Sequence, residues 1–402
     1  ATSKVAGQRG DVVYGGQGTD TLVGSFNEDF LIGGEEENNA DVETDWIDYS
    51  NLVLGANDYG ISVNLEQTTN FTDTVDRAYL NGNYSQVFRL DTNGTNTLNF
   101  DYISQIENIR GTNGIDLLMG KHGENNSIMA GAGNDTIFLS TGINHIDGEA
   151  GSNWISLQNM SGAISNFDLA NNNAGDSKIY NIQNVIDFNG NRNQTVWGSN
   201  SDNIFIMHGG NDHVLSRGGN NIVDLGAGDD RVANNYGVDT LIGGTGQDTI
   251  DMYNNLGANQ GANIVFNNII ASNFTGLATD IGTLTLSNQT VVIESKTING
   301  LSTLSNGTHN FYRIKDGQGV FDYLYQDGTN PDFEQFLMTN YADIFVGSNN
   351  NDTVHGYGGN DTIWAMGGND SIYGGDGRDT IFGVSGNNRL EGGADNDLIF
   401  GG

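Results

Sequence analysis

The chain has 402 residues, 59 of them glycine, with one proline, no cysteine and a formal net charge of −35. This composition excludes disulfides, thiolate metal sites and thiol catalysis, and the 15 Lys+Arg against 50 Asp+Glu exclude a basic surface for nucleic acid or an anionic membrane. Collagen is excluded by the lack of a three-residue glycine period, and no apolar run is long enough to span a bilayer.

The opening ATSKVAGQRG lacks a basic and apolar leader, so no cleavable signal is expected there. A repeat array then occupies residues 1–34. In GGQGTDTLVGSFNEDFLIGG a nine-residue template begins at Gly15, with glycine at positions one, two and four, an acid at position six and an aliphatic at position eight. Asp11, Asp20 and Asp29 fall at position six.

Residues 35–110 leave the template and are expected to form a β-rich insertion. Their acidic cluster, Glu35, Glu36, Glu37, Asp41, Glu43 and Asp45, is either an extra cation site or a solvated loop. Glu107 and Ile109 already sit at positions six and eight, so the coil is expected to resume ahead of its aspartates. The second array, residues 111–156, runs through Asp116, a one-residue slip near Asn125 and Asn126, then Asp135, Asn144 and Asn153.

Residues 157–188 read as an Asn-rich, strand-poor spacer. The third array, residues 189–251, places Gln194, Asn203, Asp212, Asn221, Asp230, Asp239 and Asp248 at position six. A second β-rich insertion, residues 252–337, alternates like antiparallel strands. Its aromatics Phe311, Tyr312, Phe321, Tyr323, Tyr325, Phe333 and Phe336 either line a glycan or protein site or form core.

The fourth array, residues 338–402, is the most regular. From Gly347 to Phe400 the template repeats without a gap, with Asp352, Asp361, Asp370, Asp379, Asn388 and Asp397 at position six, and Asp343 one block upstream. Position eight reads Val354, Ile363, Ile372, Ile381, Leu390 and Ile399. Position nine on alternate blocks reads Trp364, Phe382 and Phe400, an outer stripe expected to be covered by another segment, domain or subunit.

One block has simple physics. Its glycines permit a tight turn with positive φ, and positions seven to nine form a short strand whose single aliphatic points inward. Such strands are stable only when stacked, so two blocks make one turn of a flattened coil with a thin aliphatic interior and two rows of aspartates. Stacked like charges repel, and a hard divalent cation relieves this by accepting carboxylate and carbonyl oxygens together. Calcium suits such a site better than magnesium, which prefers a small octahedron, or zinc, which prefers His and Cys.

The blocks GGQGTDTLV, GYGGNDTIW and GGDGRDTIF resemble the RTX nonapeptide G-G-x-G-x-D-x-U-x. The resemblance implies an all-β fold, a parallel β-roll or right-handed β-helix-like solenoid interrupted by β-rich insertions, in a protein that leaves a Gram-negative cell by type I secretion. It also implies multiple calcium ions, each held between turns on one edge. Asp343, Asp361, Asp379 and Asp397 then form one row, and Asp352, Asp370 and Asn388 the other. Asp212, Asp230 and Asp248 share an edge, while the opposite edge, Asn203, Asn221 and Asp239, is expected to bind calcium weakly or not at all.

No H-E-x-x-H, G-x-S-x-G or Walker A motif occurs, and the six histidines are scattered. The expectation is therefore a non-enzymatic, secreted or cell-surface calcium-binding structural or adhesive protein of an adhesin, surface layer or matrix. Cell-surface glycans or neighbouring subunits are its expected partners. The alternative is the calcium-dependent secretion and folding region of a larger exported epimerase, lipase, protease or pore-former.

Overall fold

The computed structural model describes residues 11–25, 28–34, 44–54, 59–66, 84–90, 101–158, 160, 164, 166–187, 192–233, 239, 241–251, 334–347 and 350–402, together with the backbone alone of residues 58, 67–71, 82–83, 91, 96–100, 234 and 240 and of strands 263–265, 283–286, 289–292, 294–297, 308–315, 321–327 and 330–331. The chain divides into two compact units, Ala1–Asn189 and Gly190–Gly402. Both are built of strands. Among the described residues there is no helix, hence none long and apolar enough to cross a membrane.

Three-residue strands arise because each template block supplies a β-prone triplet between two glycine-rich reversals. Gly16 and Gly18 turn the chain with φ of 102° and 111°, which an L side chain adopts only under strain. Consecutive strands fall alternately on two faces, so each strand pairs in parallel with the strand two blocks on. The register is therefore 18 residues, as in Thr136 opposite Trp154, His213 opposite Arg231 and Thr362 opposite Thr380. This is the parallel β-roll expected from the repeat.

In the first unit one face stacks Thr21–Val23, Trp46–Asp48, Asn108–Arg110, Ser127–Met129, His145–Asp147 and Ser177–Tyr180. The other face carries Val12–Tyr14 and Asp29–Ile32, then, beyond the insertion, Leu117–Met119, Thr136–Phe138, Trp154–Ser156 and Asn184–Ile186. The Asn-rich stretch 157–188 thus supplies two strands of the coil, with Lys178 opposite His145 and Asn184 opposite Trp154. Ser177 and Gln183 stand at its position six in place of aspartate, so the repeat pattern did not reveal them.

The second unit carries eight parallel strands on one face, from Thr195–Trp197 to Arg389–Ala394. Its other face runs through Ile204–Ile206, Ile222–Asp224 and Thr240–Ile242, and later through Ile344–Val346, Thr362–Trp364, Thr380–Phe382 and Leu398–Phe400.

Both insertions enter the sheet by the same plan. In the first unit, Asp29–Ile32 pairs in parallel with the end of Asn96–Ser104, which runs antiparallel to Gly82–Asp91, itself antiparallel to Asp58–Phe71; that strand pairs in parallel with Leu117–Met119. In the second, Thr240–Ile242 pairs with Phe321–Asp327, then Thr308–Lys315, then Asn263–Val265, which pairs in parallel with Ile344–Val346. In each insertion three of the described strands, antiparallel to one another, bridge the two coil strands of that face, and in the second Glu294–Thr297 and Asn330–Pro331 pair onto the same patch.

Position-eight side chains line the interior, one file from each face, with position-one side chains such as Leu139, Met207 and Ala365 buried beside them where a block does not open on glycine. Ile47, Ile109, Ile128, Ile146 and Ile179 are buried in order on one face of the first unit, and Val354, Ile372, Ile363 and Ile381 on the two faces of the second. Phe336 and Phe345 pack at 4.9 Å in that core. The side chains of Phe311, Tyr312, Phe321, Tyr323, Tyr325 and Phe333 lie outside the described residues. Trp364, Phe382 and Phe400 stack nearly parallel on the outer face, with centroids 5.4 and 4.7 Å apart.

Candidate functional site

Position six lies at the bend between turn and strand, so its side chain tucks beneath the backbone of the layer before it. The backbone N–H of each position-six residue donates to the side-chain oxygen of the equivalent residue one turn on. Asp343 donates to Asp361 Oδ1 (2.8 Å), Asp361 to Asp379 (2.9 Å) and Asp379 to Asp397 (3.0 Å). Asp352 donates to Asp370 and Asp370 to Asn388, both at 2.9 Å.

The third array builds the same ladder, from Gln194 to Asp212 (2.7 Å), Asp230 (2.6 Å) and Asp248 (2.9 Å), ending on Glu334 Oε2 (2.9 Å). On its opposite edge Asn203 donates to Asn221 and Asn221 to Asp239. In the first unit Asp11 donates to Asp29, and Asp29 to Asp101 (3.1 Å). Asp20 donates to Asp45, and Asp45 to Glu107. Asp116 donates to Asp135, and Asp135 to Asn153.

Glu107 stands in the row at the position six the template gave it, and Asp45, Asp101 and Glu334 stand there although the template did not single them out as row residues. Asp45 belonged to the acidic cluster, whose other members Glu35, Glu36, Glu37, Asp41 and Glu43 lie outside the described residues. Glu107 and Glu334 carry a shared signal, E-x-Φ-x-x-T-N-x-x-D with Φ apolar, in ENIRGTNGID and EQFLMTNYAD. A second, exposed ladder at position five was also missed: Asn369 donates to Asn351 Oδ1 (2.7 Å) and Asn387 to Asn369 Oδ1 (2.9 Å). It runs in the opposite sense to the buried one.

The first carboxylate oxygens of Asp135, Asp230, Asp248, Asp361, Asp370 and Asp379 are thus satisfied by backbone. The second oxygens of Asp20, Asp135, Asp230, Asp248, Asp361, Asp370 and Asp379 are buried with no hydrogen-bond partner. An ionised carboxylate so placed is costly unless a cation joins it. Burial accordingly pushes Asp361 up to about 9, with the charges of Asp343 and Asp379 adding to it. Burial likewise lifts Asp135 and Asp248 to about 8, and Asp230 and Asp370 to about 6.

Position-one glycines leave room beside these oxygens. A Cβ on Gly356 would lie 2.3 Å from the carbonyl oxygen of Gly374 and 2.4 Å from Asp361 Oδ2, and Gly374 faces Gly392 and Asp379 at 2.5 and 2.3 Å in the same way. Carbonyl and carboxylate oxygens of adjacent turns therefore converge on one small space. Among the described residues no three His, Asp or Glu side chains gather at a point, so a cation in this space takes carbonyl oxygens beside its carboxylates. A purely oxygen donor set of that kind suits calcium and not zinc.

The family model for the RTX calcium-binding nonapeptide repeat (4 copies) matches residues 5–38, 105–137, 122–155, 197–232, 234–251, 339–372, 346–381 and 373–402, about half of the chain. No curated protein matches the chain significantly. The repeat is a structural calcium-binding element and not a catalytic one. Family motif, 18-residue register and oxygen-lined rows agree, and the chain belongs to the RTX calcium-binding nonapeptide repeat family.

Proposed function

We propose that this chain is an extracellular structural or adhesive protein that folds on calcium after export and serves in a bacterial surface adhesin, surface layer or matrix. The observation that carries this reading is the set of buried carboxylate oxygens with no donor among the described residues. A chain of net charge −35 resists compaction wherever calcium is scarce, which keeps it extended for export. Outside, calcium supplies the positive charge and coordination that the rows lack, and binding free energy becomes folding free energy. Asp20, Asp135, Asp230, Asp248, Asp361, Asp370 and Asp379 are the residues best placed to hold it, each with one oxygen already fixed or buried and the other unsatisfied. The two inserted antiparallel patches supply surface for glycans or neighbouring subunits.

Calcium titration of the chain, followed by circular dichroism and light scattering, tests this. A cooperative gain of β signal reversed by chelation is expected, with ordered growth of scattering if the chain assembles and a stable monomer if it acts as an adhesin segment. A fully folded chain indifferent to chelator would sink the proposal.

A further inference from the structure

Among the described residues two kinds of layer occur in both units, distinguished by what lies on the second atom of the position-six side chain. In an open layer, such as that of Asp361, Oδ2 is buried without a donor and faces a turn carbonyl. In a closed layer the chain itself supplies the donor. Asn153 Nδ2 donates to the carbonyls of Gly148 (2.7 Å) and Asn181 (3.1 Å), Asn144 Nδ2 to that of Ser140 (2.8 Å), and Asn388 Nδ2 to that of Gly383 (2.6 Å).

The two kinds share one geometry. A Cβ on Gly148 would meet Asn153 Nδ2 at 2.5 Å and the Asn181 carbonyl oxygen at 2.5 Å, just as one on Gly356 would meet Asp361 Oδ2 and the Gly374 carbonyl oxygen. The amide nitrogen therefore bonds to the class of carbonyl that an open layer leaves facing its carboxylate. A second closing device is a hydroxyl at position two. Thr339 donates to Asp343 from both Oγ1 and backbone N (2.9 Å each), Thr112 Oγ1 to Asp116 (2.9 Å), and Ser25 Oγ to Asp29 Oδ2 (2.7 Å).

We propose that closed layers take no calcium, because amide and hydroxyl donors of the chain occupy the role of the ion. The proposal rests on the calcium reading of the open layers and sets which aspartates act in it: Asp361 and Asp379 do, while Asp116 and Asp343 do not. A neutral amide satisfies the carbonyls and leaves no uncompensated negative charge, so such a layer holds together in chelator. Each unit then keeps metal-independent layers onto which calcium-dependent layers order.

The test exchanges the two side chains in the full chain, with calcium alone as the probe. Asp361→Asn should lose one bound ion per chain by calorimetric titration, melt lower than wild type in calcium and melt higher in chelator. Asn153→Asp should gain one ion and melt lower in chelator. Asn388→Asp, at a less buried position, repeats the second test if Asn153→Asp does not fold. Unchanged ion counts, with lower melting of all variants in both conditions, would overturn the proposal by making position six merely structural. A wild-type chain that binds no calcium would instead overturn the calcium reading beneath it.

Discussion

At the scale of single residues, chemistry is decided by position within the nine-residue block. The same glycine has two separate uses. Gly123 turns the chain with φ of 78°, and a Cβ there meets nothing within 4 Å. Gly356 is needed for space, since its Cβ would press on both the Gly374 carbonyl and Asp361 Oδ2. Gly123→Ala is expected to cost only the left-handed strain of about 1–2 kcal/mol, whereas Gly356→Ala should also abolish the calcium-dependent part of stability in its row. Denaturant melts of both variants, each with calcium and with chelator, separate the effects; equal losses under both conditions for Gly356→Ala would contradict the assignment. The motif made the row aspartates legible. It did not reveal Asp101, whose carboxyl is lifted to about 8 by burial and accepts from Tyr49 Oη at 2.7 Å, because its neighbours in sequence contain no template glycine.

At the scale of elements, a three-residue strand contributes one interior side chain, and its worth depends on the layers above and below. Ile363 is buried between the layers of Phe345 and Ile381. Ile363→Ala should lose about 2–5 kcal/mol in calcium, read from the denaturation midpoint at unchanged slope; a loss below 1 kcal/mol would mean the file collapses around the gap. The splice points of the insertions depend on a glutamate. Glu334 receives the backbone N–H of Asp248 at 2.9 Å, as Glu107 receives that of Asp45. Glu334→Ala leaves a buried donor unmet and should cost about 1–3 kcal/mol, while Glu334→Gln, which keeps an acceptor of similar reach, should recover most of it. Failure of the glutamine to do better than alanine would show that charge, and not the hydrogen bond, is what the splice needs. Periodicity disclosed the repeat strands because template and register coincide, but it could not disclose Ser177–Tyr180 or Asn184–Ile186. There Ser177 and Gln183 fill the row in place of aspartate, their side-chain oxygens accepting from Asn144 and Asn153 at 2.9 and 2.7 Å.

At the scale of the whole molecule, the rows link folding to pH as well as to calcium. Without metal, Asp361 is lifted to about 9, Asp135 and Asp248 to about 8, and Asp230 and Asp370 to about 6, against an unfolded value near 3.9. A raised folded pKa means that the folded chain keeps a proton the unfolded chain has released. Its stabilising effect is therefore complete below about pH 4 and is lost as pH rises through the folded value. Scanning calorimetry in chelator should show a melting temperature that falls steadily from about pH 5 to about pH 9, the window those values define. In calcium the fall should disappear, because the ion competes with the protons and binds more tightly as they leave. A chelated chain that melts higher at pH 9 than at pH 5 would contradict this account.

By itself the sequence determined the coil, its period, the inward aliphatic, the rows of acids and the preference for a hard cation. All of these follow from short-range chemistry repeated in register, where one block constrains the next. Tertiary structure alone decided how each insertion is spliced into a face, that Glu334 carries the Asp248 ladder onward, and which carboxylates are already satisfied. These depend on residues far apart in the chain. Tyr49 reaches Asp101 across 52 positions, and Asp248 meets Glu334 across 86, distances over which no local pattern survives because the meeting is set by stacking of layers and not by spacing along the chain.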